Sequence, residues 1–99
     1  MDPEPLQLIV ELRYKPTQSG GAEERAIEFV HRTREEPGCD KAFFYRVNKD
    51  AERFVFLAEF KDVESLQDHL AAPWREEILD ELSGFLSEPL RRYTMQRVA

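Results

Sequence analysis

The chain has 99 residues, 41% hydrophobic and 11% aromatic, which suits one small domain with a modest core over residues 1–99. Fourteen Lys and Arg against 20 Asp and Glu leave a net charge of -6, the wrong sign for binding nucleic-acid phosphates. The start, MDPEPLQ, lacks the basic segment of a secretion signal, and no apolar run approaches the roughly 20 residues of a membrane span, so we expect a cytoplasmic protein.

The first third of the chain predicts a strand, a loop and a helix. Residues 6–14, LQLIVELRY, alternate large apolar side chains on one face with Ile9, Glu11 and Arg13 on the other, which is typical of a strand. The next segment, KPTQSGGAE, has the Pro, Ser and paired Gly of a loop. Apolar positions then recur at helical spacing over residues 22–35, and EPG ends that helix.

The rest of the chain predicts a hairpin, an interrupted helical segment and a last strand. The hairpin pairs KAFFYRVN, residues 41–48, with RFVFLAEF, residues 53–60. Asp62 caps a short helix, and Pro73 both ends it and begins a second helix. Residues 90–98, LRRYTMQRV, form the last strand. The order βαββαβ predicts an α+β fold of the ferredoxin-like kind, with helices on one face of an antiparallel sheet.

The hairpin strands are apolar on both faces. Phe43 and Tyr45 alternate with Ala42 and Phe44, and a similar alternation runs through the strand that follows. Helices can cover only one face, so the other would expose a large aromatic area to water. The simplest cover is the sheet of a second copy, and the sequence therefore predicts a homodimer with sheets face to face.

Residues 34–73 read REEPGCDKAFFYRVNKDAERFVFLAEFKDVESLQDHLAAP. This stretch resembles the antibiotic biosynthesis monooxygenase domain family. The matching features are Glu-Pro-Gly-Cys before the second strand, a hairpin ending in Glu59, an aromatic residue and Asp62, then Leu66 and His69 before a small-residue break. The first strand and the closing PLRRYTMQRV extend the resemblance over nearly the whole chain. The resemblance implies a dimeric α+β barrel built from two ferredoxin-like subunits.

The resemblance implies several possible activities. Differences between this chain and the family pattern reduce their number. Members include cofactor-free monooxygenases of quinols and polyketide aromatics, haem-degrading enzymes, and enzymes acting on a small signalling carbohydrate derivative. Haem-degrading relatives use an Asn in the first strand and a His in the last helix, and this chain has neither there. Some aromatic oxygenases of the family hold substrate with an Asn and a Trp, but the one Asn here, Asn48, lies beside the hairpin loop. We expect no cofactor.

Candidate catalytic residues are His69 and Glu59. Cofactor-free oxygenation needs an enclosed apolar site and a base that stabilises the substrate as a phenolate or enolate. His69, whose ordinary pKa allows it to accept a proton near neutral pH, lies at the edge of a buried stripe. It could equally be a packing residue bonded to a carbonyl or to Glu59. Glu59 could be a base or the group that orients His69, or it could form a salt bridge to a strand arginine.

Candidate substrate-binding residues are Trp74, Tyr45, Phe56 and Tyr93. Trp74 could stack on a flat ligand, although it also heads the apolar stripe of its helix. The strand tyrosines could donate hydrogen bonds to a substrate oxygen or simply fill a core. We predict that His69 and Trp74 line one cavity between helices and sheet, with Glu59 or Tyr45 within reach. Arg34 and Arg75, each in an REE triplet, are expected on solvated helix surface.

Two functions from different classes remain open. The first is a cofactor-independent oxygenase that uses molecular oxygen on a small quinol-like or polyphenolic aromatic. The second is a non-catalytic ligand-binding or stress-related protein of the same fold. Cys39, the single cysteine, forms no internal disulfide, and with His31 and His69 it makes no cluster at metal-ligand spacing, so no metal is expected.

Overall fold

The structure of the protein is a computed structural model, and it describes residues 6–99 apart from the side chain at position 19. The first five residues of the MDPEPLQ start lie outside the described residues. In chain order the elements are β1 (Leu6–Arg13), α1 (Ser19–Arg34), β2 (Cys39–Arg46), β3 (Arg53–Phe60), α2 (Val63–Ala71), α3 (Pro73–Ser83) and β4 (Arg91–Gln96). The strands form one antiparallel sheet in the order β2-β3-β1-β4. The predicted ferredoxin-like α+β fold is confirmed.

Element boundaries differ most from the prediction at α1. This helix begins at Ser19, three residues before the predicted residue 22, and so includes the paired glycines that indicated a loop. A Cβ atom at Gly21 would lie 3.3 Å from a ring carbon of Phe85, tighter than ordinary contact. Glycine therefore lets the first turn of α1 approach the segment after α3, and this packing outweighs its low helix propensity.

Asp62 caps α2 and Pro73 begins α3, as predicted. The Asp62 carboxylate accepts a hydrogen bond from the Ser65 backbone N–H at 2.8 Å, which caps α2. Pro73 occupies the first position of α3, where its missing N–H would have had no partner within the helix. The break turns the chain, so residues just before and after Pro73 no longer follow a single helix axis.

The sheet has a helix face and an open face. Directly paired residues share a face, and Val10 of β1 lies opposite Phe56 of β3 and Arg92 of β4. The helix face is the set Leu8, Val10, Leu12, Ala42, Phe44, Phe54, Phe56, Ala58, Phe60, Arg92 and Thr94. Its apolar members pack with the helices into the core, in which α1 lies against β2 and α2 against β1 and β3.

The open face has no helix against it within the described residues. It is the set Gln7, Ile9, Glu11, Arg13, Lys41, Phe43, Tyr45, Arg53, Val55, Leu57, Glu59, Arg91, Tyr93 and Met95. Phe43, Tyr45, Tyr93 and Met95 are 40%, 50%, 44% and 40% exposed. The predicted two-sided apolar character of the hairpin is therefore present, with its second side exposed in the single chain.

No helix in the part of the chain from residue 6 onward combines the length and the apolar content that crossing a bilayer requires.

Candidate active site

His69 lies in α2 and is completely buried. Three aromatic rings surround its imidazole, with ring centroids 5.0 Å away for Phe60 and 5.8 Å away for Phe29 and for Trp74. Trp74 comes from α3, beyond the break at Pro73, and Phe29 comes from α1. The structure thus brings His69 and Trp74 together, but neither lines the cavity between the helices and the sheet, so the prediction that both line one cavity there is wrong. They meet inside a packed aromatic cluster.

The partner of His69 is Glu36, which follows α1. The Nδ1 atom of His69 lies 2.5 Å from Oε1 of Glu36, within hydrogen-bond distance. The Nε2 atom is buried and has no hydrogen-bond partner among residues 6–99. We call His69 and Glu36 the dyad. A carboxylate on one imidazole nitrogen fixes the ring and determines which nitrogen carries the proton, which leaves the other nitrogen free for chemistry.

Burial changes the proton affinity of both members of the dyad. Burial, with the nearby Arg75 guanidinium second, lowers the pKa of His69 from 6.5 to about 4, so its imidazole is neutral at physiological pH. Burial also raises the pKa of Glu36 from 4.5 to about 7, with Arg75 acting to lower it and Asp68 to raise it. The dyad therefore gains or loses its proton near neutral pH, and it does so at Glu36.

The protonation of Glu36 decides what Nε2 of His69 can do. When the carboxyl is protonated it donates to Nδ1, and Nε2 then carries hydrogen and can only donate. When the carboxylate is ionised it accepts from Nδ1–H, and Nε2 carries a lone pair and can accept a proton. Above about pH 7 the dyad therefore presents a buried neutral base to the aromatic cluster.

Glu36 also connects the buried imidazole with solvent. Its side chain is 21% exposed, whereas that of His69 is inaccessible. Glu36 lines a surface groove beside the N-terminus of α2, with Glu64 and Asp68 on the other side. A proton taken up at His69 can leave through Glu36 into this groove without crossing the apolar core.

Phe56 lies apart from His69, at a small apolar cavity between the helices and the sheet. The cavity measures about 10 Å³, roughly the space of one water molecule. It is lined by Val10, Leu12, Ala26, Phe29, Phe44, Phe56, Leu79 and Leu82. Phe29 contacts both Phe56, at a centroid distance of 5.0 Å, and His69, so this one ring separates the cavity from the dyad.

Glu59, Tyr45 and Tyr93 do not lie near His69, contrary to the prediction that one cavity would gather strand and helix residues. Side chains alternate along a strand, and all three belong to the open face while His69 packs over the helix face. Glu59 pairs with Lys41 at 3.4 Å instead of orienting His69 or bonding to a strand arginine.

Arg75 is also misplaced by the sequence analysis, because it is 2% exposed instead of solvated. A signal was available: Arg75 precedes Ile78 by three residues and Leu82 by seven, which puts it on the buried stripe of α3. Phe29 was expected only as core. Glu36 is the glutamate of the Glu-Pro-Gly-Cys motif, but nothing in that motif pairs it with His69, which lies 33 residues away in the chain.

Among the described residues, no group of three or more His, Cys, Asp or Glu side chains is arranged to hold a metal ion.

Comparison with known proteins places the chain in a family. The sequence matches antibiotic biosynthesis monooxygenases over residues 5–87. The chain belongs to the antibiotic biosynthesis monooxygenase family. This family includes monooxygenases. A search of curated proteins found no match.

Solved structures share the fold of this family member at low sequence identity. A crystal structure of an antibiotic biosynthesis monooxygenase is 24% identical, with a TM-score of 0.87 over 95% of this chain and 99% of that one. A conserved protein from Methanosarcina mazei Go1 is 21% identical, with a TM-score of 0.90 over 96% and 94%. Rv0793 from Mycobacterium tuberculosis is 17% identical, with a TM-score of 0.86 over 96% of each chain.

Proposed function

We propose that the protein is a cofactor-independent oxygenase that oxidises a small quinol-like or polyphenolic aromatic with molecular oxygen, and that His69 is its base. The observation that supports this most directly is the free Nε2 of His69, buried among aromatic rings and backed by a carboxylate. A base in such surroundings removes a proton from a substrate hydroxyl more readily than from water, because little water can compete there.

The reaction balances without a cofactor. His69 takes a proton from the quinol, and the resulting phenolate gives its electrons to oxygen, forming a carbon–oxygen bond and a peroxide anion, which takes the proton back from His69 to become a hydroperoxide. Loss of water then leaves a hydroxyquinone, so one oxygen atom ends in the product and the other in water. The substrate supplies every electron, and Glu36 stabilises the proton on His69 until the peroxide takes it back.

Substrate reaches the dyad, in this proposal, by displacing Phe29. The cavity of about 10 Å³ is too small for an aromatic ring, and Phe29 stands between it and His69. Phe44 and Leu79 line the same cavity and are only partly buried, so this side is the shorter route from solvent. Rotation of Phe29 would join the cavity to the aromatic cluster and expose Nε2 of His69 to a ligand.

Oxygen uptake with a panel of quinols and anthrones tests the role of His69. Because His69 is fully buried, His69→Ala would open a cavity, and His69→Gln is the sharper variant since its amide can still donate to Glu36. We expect turnover to fall by about 10²- to 10⁴-fold in His69→Gln, with a smaller effect on folding. Stability and turnover that decline together would instead identify His69 as a packing residue.

The pH dependence of turnover separates the dyad from other bases. Since Nε2 of His69 is a base only when Glu36 is ionised, we expect the rate to rise with pH through about 7. Glu36→Gln should remove this ionisation from the profile. A rise that persists unchanged in Glu36→Gln would assign it to another group.

A second candidate function is non-catalytic binding of a small ligand. The complete burial of His69 favours it over catalysis, because a histidine without access to substrate can stabilise the fold without acting as a base. Tight binding of an aromatic compound without oxygen uptake on any member of the panel would select this function.

We also propose that the open face is covered by the open face of a second copy. Phe43 and Tyr93 lie exposed on the two edge strands, and Leu57 and Ile9 lie in register between them, which makes an apolar row across this face of the kind that single soluble chains seldom expose. A two-fold axis through the sheet would place identical patches against each other, which is how most homodimers assemble.

A further inference from the structure

Arg75 is a buried cation without a hydrogen-bond partner among residues 6–99. It lies in the first turn of α3 and is 2% exposed, and its Nε and Nη2 atoms are buried with no hydrogen-bond partner among residues 6–99. An isolated charge in the protein interior is expensive unless another group compensates it. The guanidinium presents two unused donors in the planar arrangement that matches a carboxylate.

The surroundings of Arg75 add further positive charge. Arg92 projects from the helix face of β4 close enough that, after burial, its charge is the main influence lowering the pKa of Arg75. Neither arginine forms an ion pair with a described carboxylate. The carboxylates of Glu76 and Glu36 oppose this effect, but Glu36 is engaged by His69 and Glu76 is exposed.

The N-terminus of α3 points to the same conclusion. Its capping position is Ala72, which offers no side-chain hydrogen bond to the free N–H groups of the first turn. These groups carry the positive end of the helix dipole and bind anions readily. Arg75 therefore adds an unpartnered buried guanidinium to an uncapped helix terminus.

We propose that Arg75, with Arg92 and the N-terminus of α3, binds the carboxylate of an aromatic acid, and that the substrate of the proposed oxygenase carries such a group. The inference rests on that proposed function and names its substrate class. The charge of Arg75 acts on both His69 and Glu36, so a carboxylate bound at Arg75 would bring the ring of its ligand close to the dyad. A hydroxylated benzoate satisfies both requirements, with its carboxylate at Arg75 and a phenol toward His69.

Anaerobic binding of two matched probes tests the site without turnover. The first is 2,5-dihydroxybenzoate, a quinol with a carboxylate, and the second is hydroquinone, which lacks one. We expect wild type to bind the first at least about 10-fold more tightly, since a charged hydrogen-bonded pair supplies that preference. Arg75→Met should abolish the preference, and Arg92→Met should reduce it. Arg97→Met, which removes an exposed charge near the C-terminus, should leave it intact.

Three results would overturn the inference. One is equal affinity of wild type for both probes, and another is a preference that survives in Arg75→Met or is unchanged in Arg92→Met. The third is a large loss of stability in ligand-free Arg75→Met, because the guanidinium would then already have a partner within the protein. Binding that depends on Arg75 without oxygen uptake on any substrate would reject the oxygenase while retaining the anion site.

Discussion

Side chains alternate along each strand between the helix face and the open face of the sheet, and the two faces have different surroundings. On the helix face, aromatic residues pack under three helices and enclose a histidine, a carboxyl group and an unpaired arginine. On the open face, aromatic residues of similar size remain exposed, and the charged residues Lys41 and Glu59 pair with each other. Enclosure, more than residue type, therefore separates a candidate reaction site from a candidate contact surface on this fold.

The largest expected effect comes from placing a charge on each face at neighbouring positions. Phe44 stacks on Phe54 at a centroid distance of 5.3 Å on the helix face, so Phe44→Lys should destabilise the fold by roughly 3 kcal/mol or more. Phe43 lies on the open face, so Phe43→Lys should leave the fold intact and dissociate the proposed dimer. Urea unfolding measures the first effect and sedimentation velocity at micromolar concentration the second.

Wild type sedimenting as a monomer at that concentration would reject the covered open face. A Phe43→Lys variant that loses as much stability as Phe44→Lys would show that both faces belong to one folding core.

We expect an effect of intermediate size from the dyad, measured as the pH dependence of the free energy of unfolding. The pKa of His69 is lower in the folded than in the unfolded state, so its contribution is present above pH 6.5 and is lost as pH falls toward 4. The pKa of Glu36 is raised, so its contribution is present below pH 4.5 and is lost as pH rises toward 7. Between pH 4.5 and 6.5 the two slopes oppose each other, and wild-type stability should change little through this pair.

Single substitutions should show separately how His69 and Glu36 each make the free energy of unfolding depend on pH. In Glu36→Gln, His69 is the only member of the dyad that still titrates. The free energy of unfolding of this variant should rise by roughly 1 to 3 kcal/mol between about pH 4.5 and 6.5. His69→Gln leaves the carboxyl alone, and its stability should fall with rising pH by a similar amount. Urea unfolding at a series of pH values gives both slopes, and slopes of the same sign in the two variants would contradict the assignment.

The smallest expected effect belongs to the ion pair of the open face. Lys41 and Glu59 lie 3.4 Å apart, and Lys41 is half exposed, so water screens their attraction. Glu59→Gln should change the free energy of unfolding by less than about 1 kcal/mol and leave oxygen uptake unchanged. A strong loss of turnover in this variant would restore the catalytic role that the sequence suggested for Glu59.

Local rules explain why so much of the fold could be predicted. Strand alternation in residues 6–14 and 53–60, the cap at Asp62 and the break at Pro73 each depend on neighbouring residues alone. The prediction was weakest at Gly21, where contact with Phe85 outweighs local propensity. Propensity gives way wherever a distant residue supplies the packing energy.

The sequence by itself determined the order of the elements, the two-sided character of the hairpin and the closeness of His69 to Trp74. Only the tertiary structure decided which carboxyl group meets His69, because Glu36 follows α1 and lies 33 residues from His69 in the chain. It likewise decided that Phe29 separates the cavity from the imidazole and that Arg75 is buried without a partner among residues 6–99. Such contacts depend on how helices lie against one another, and that arrangement is set by packing between residues far apart in the chain.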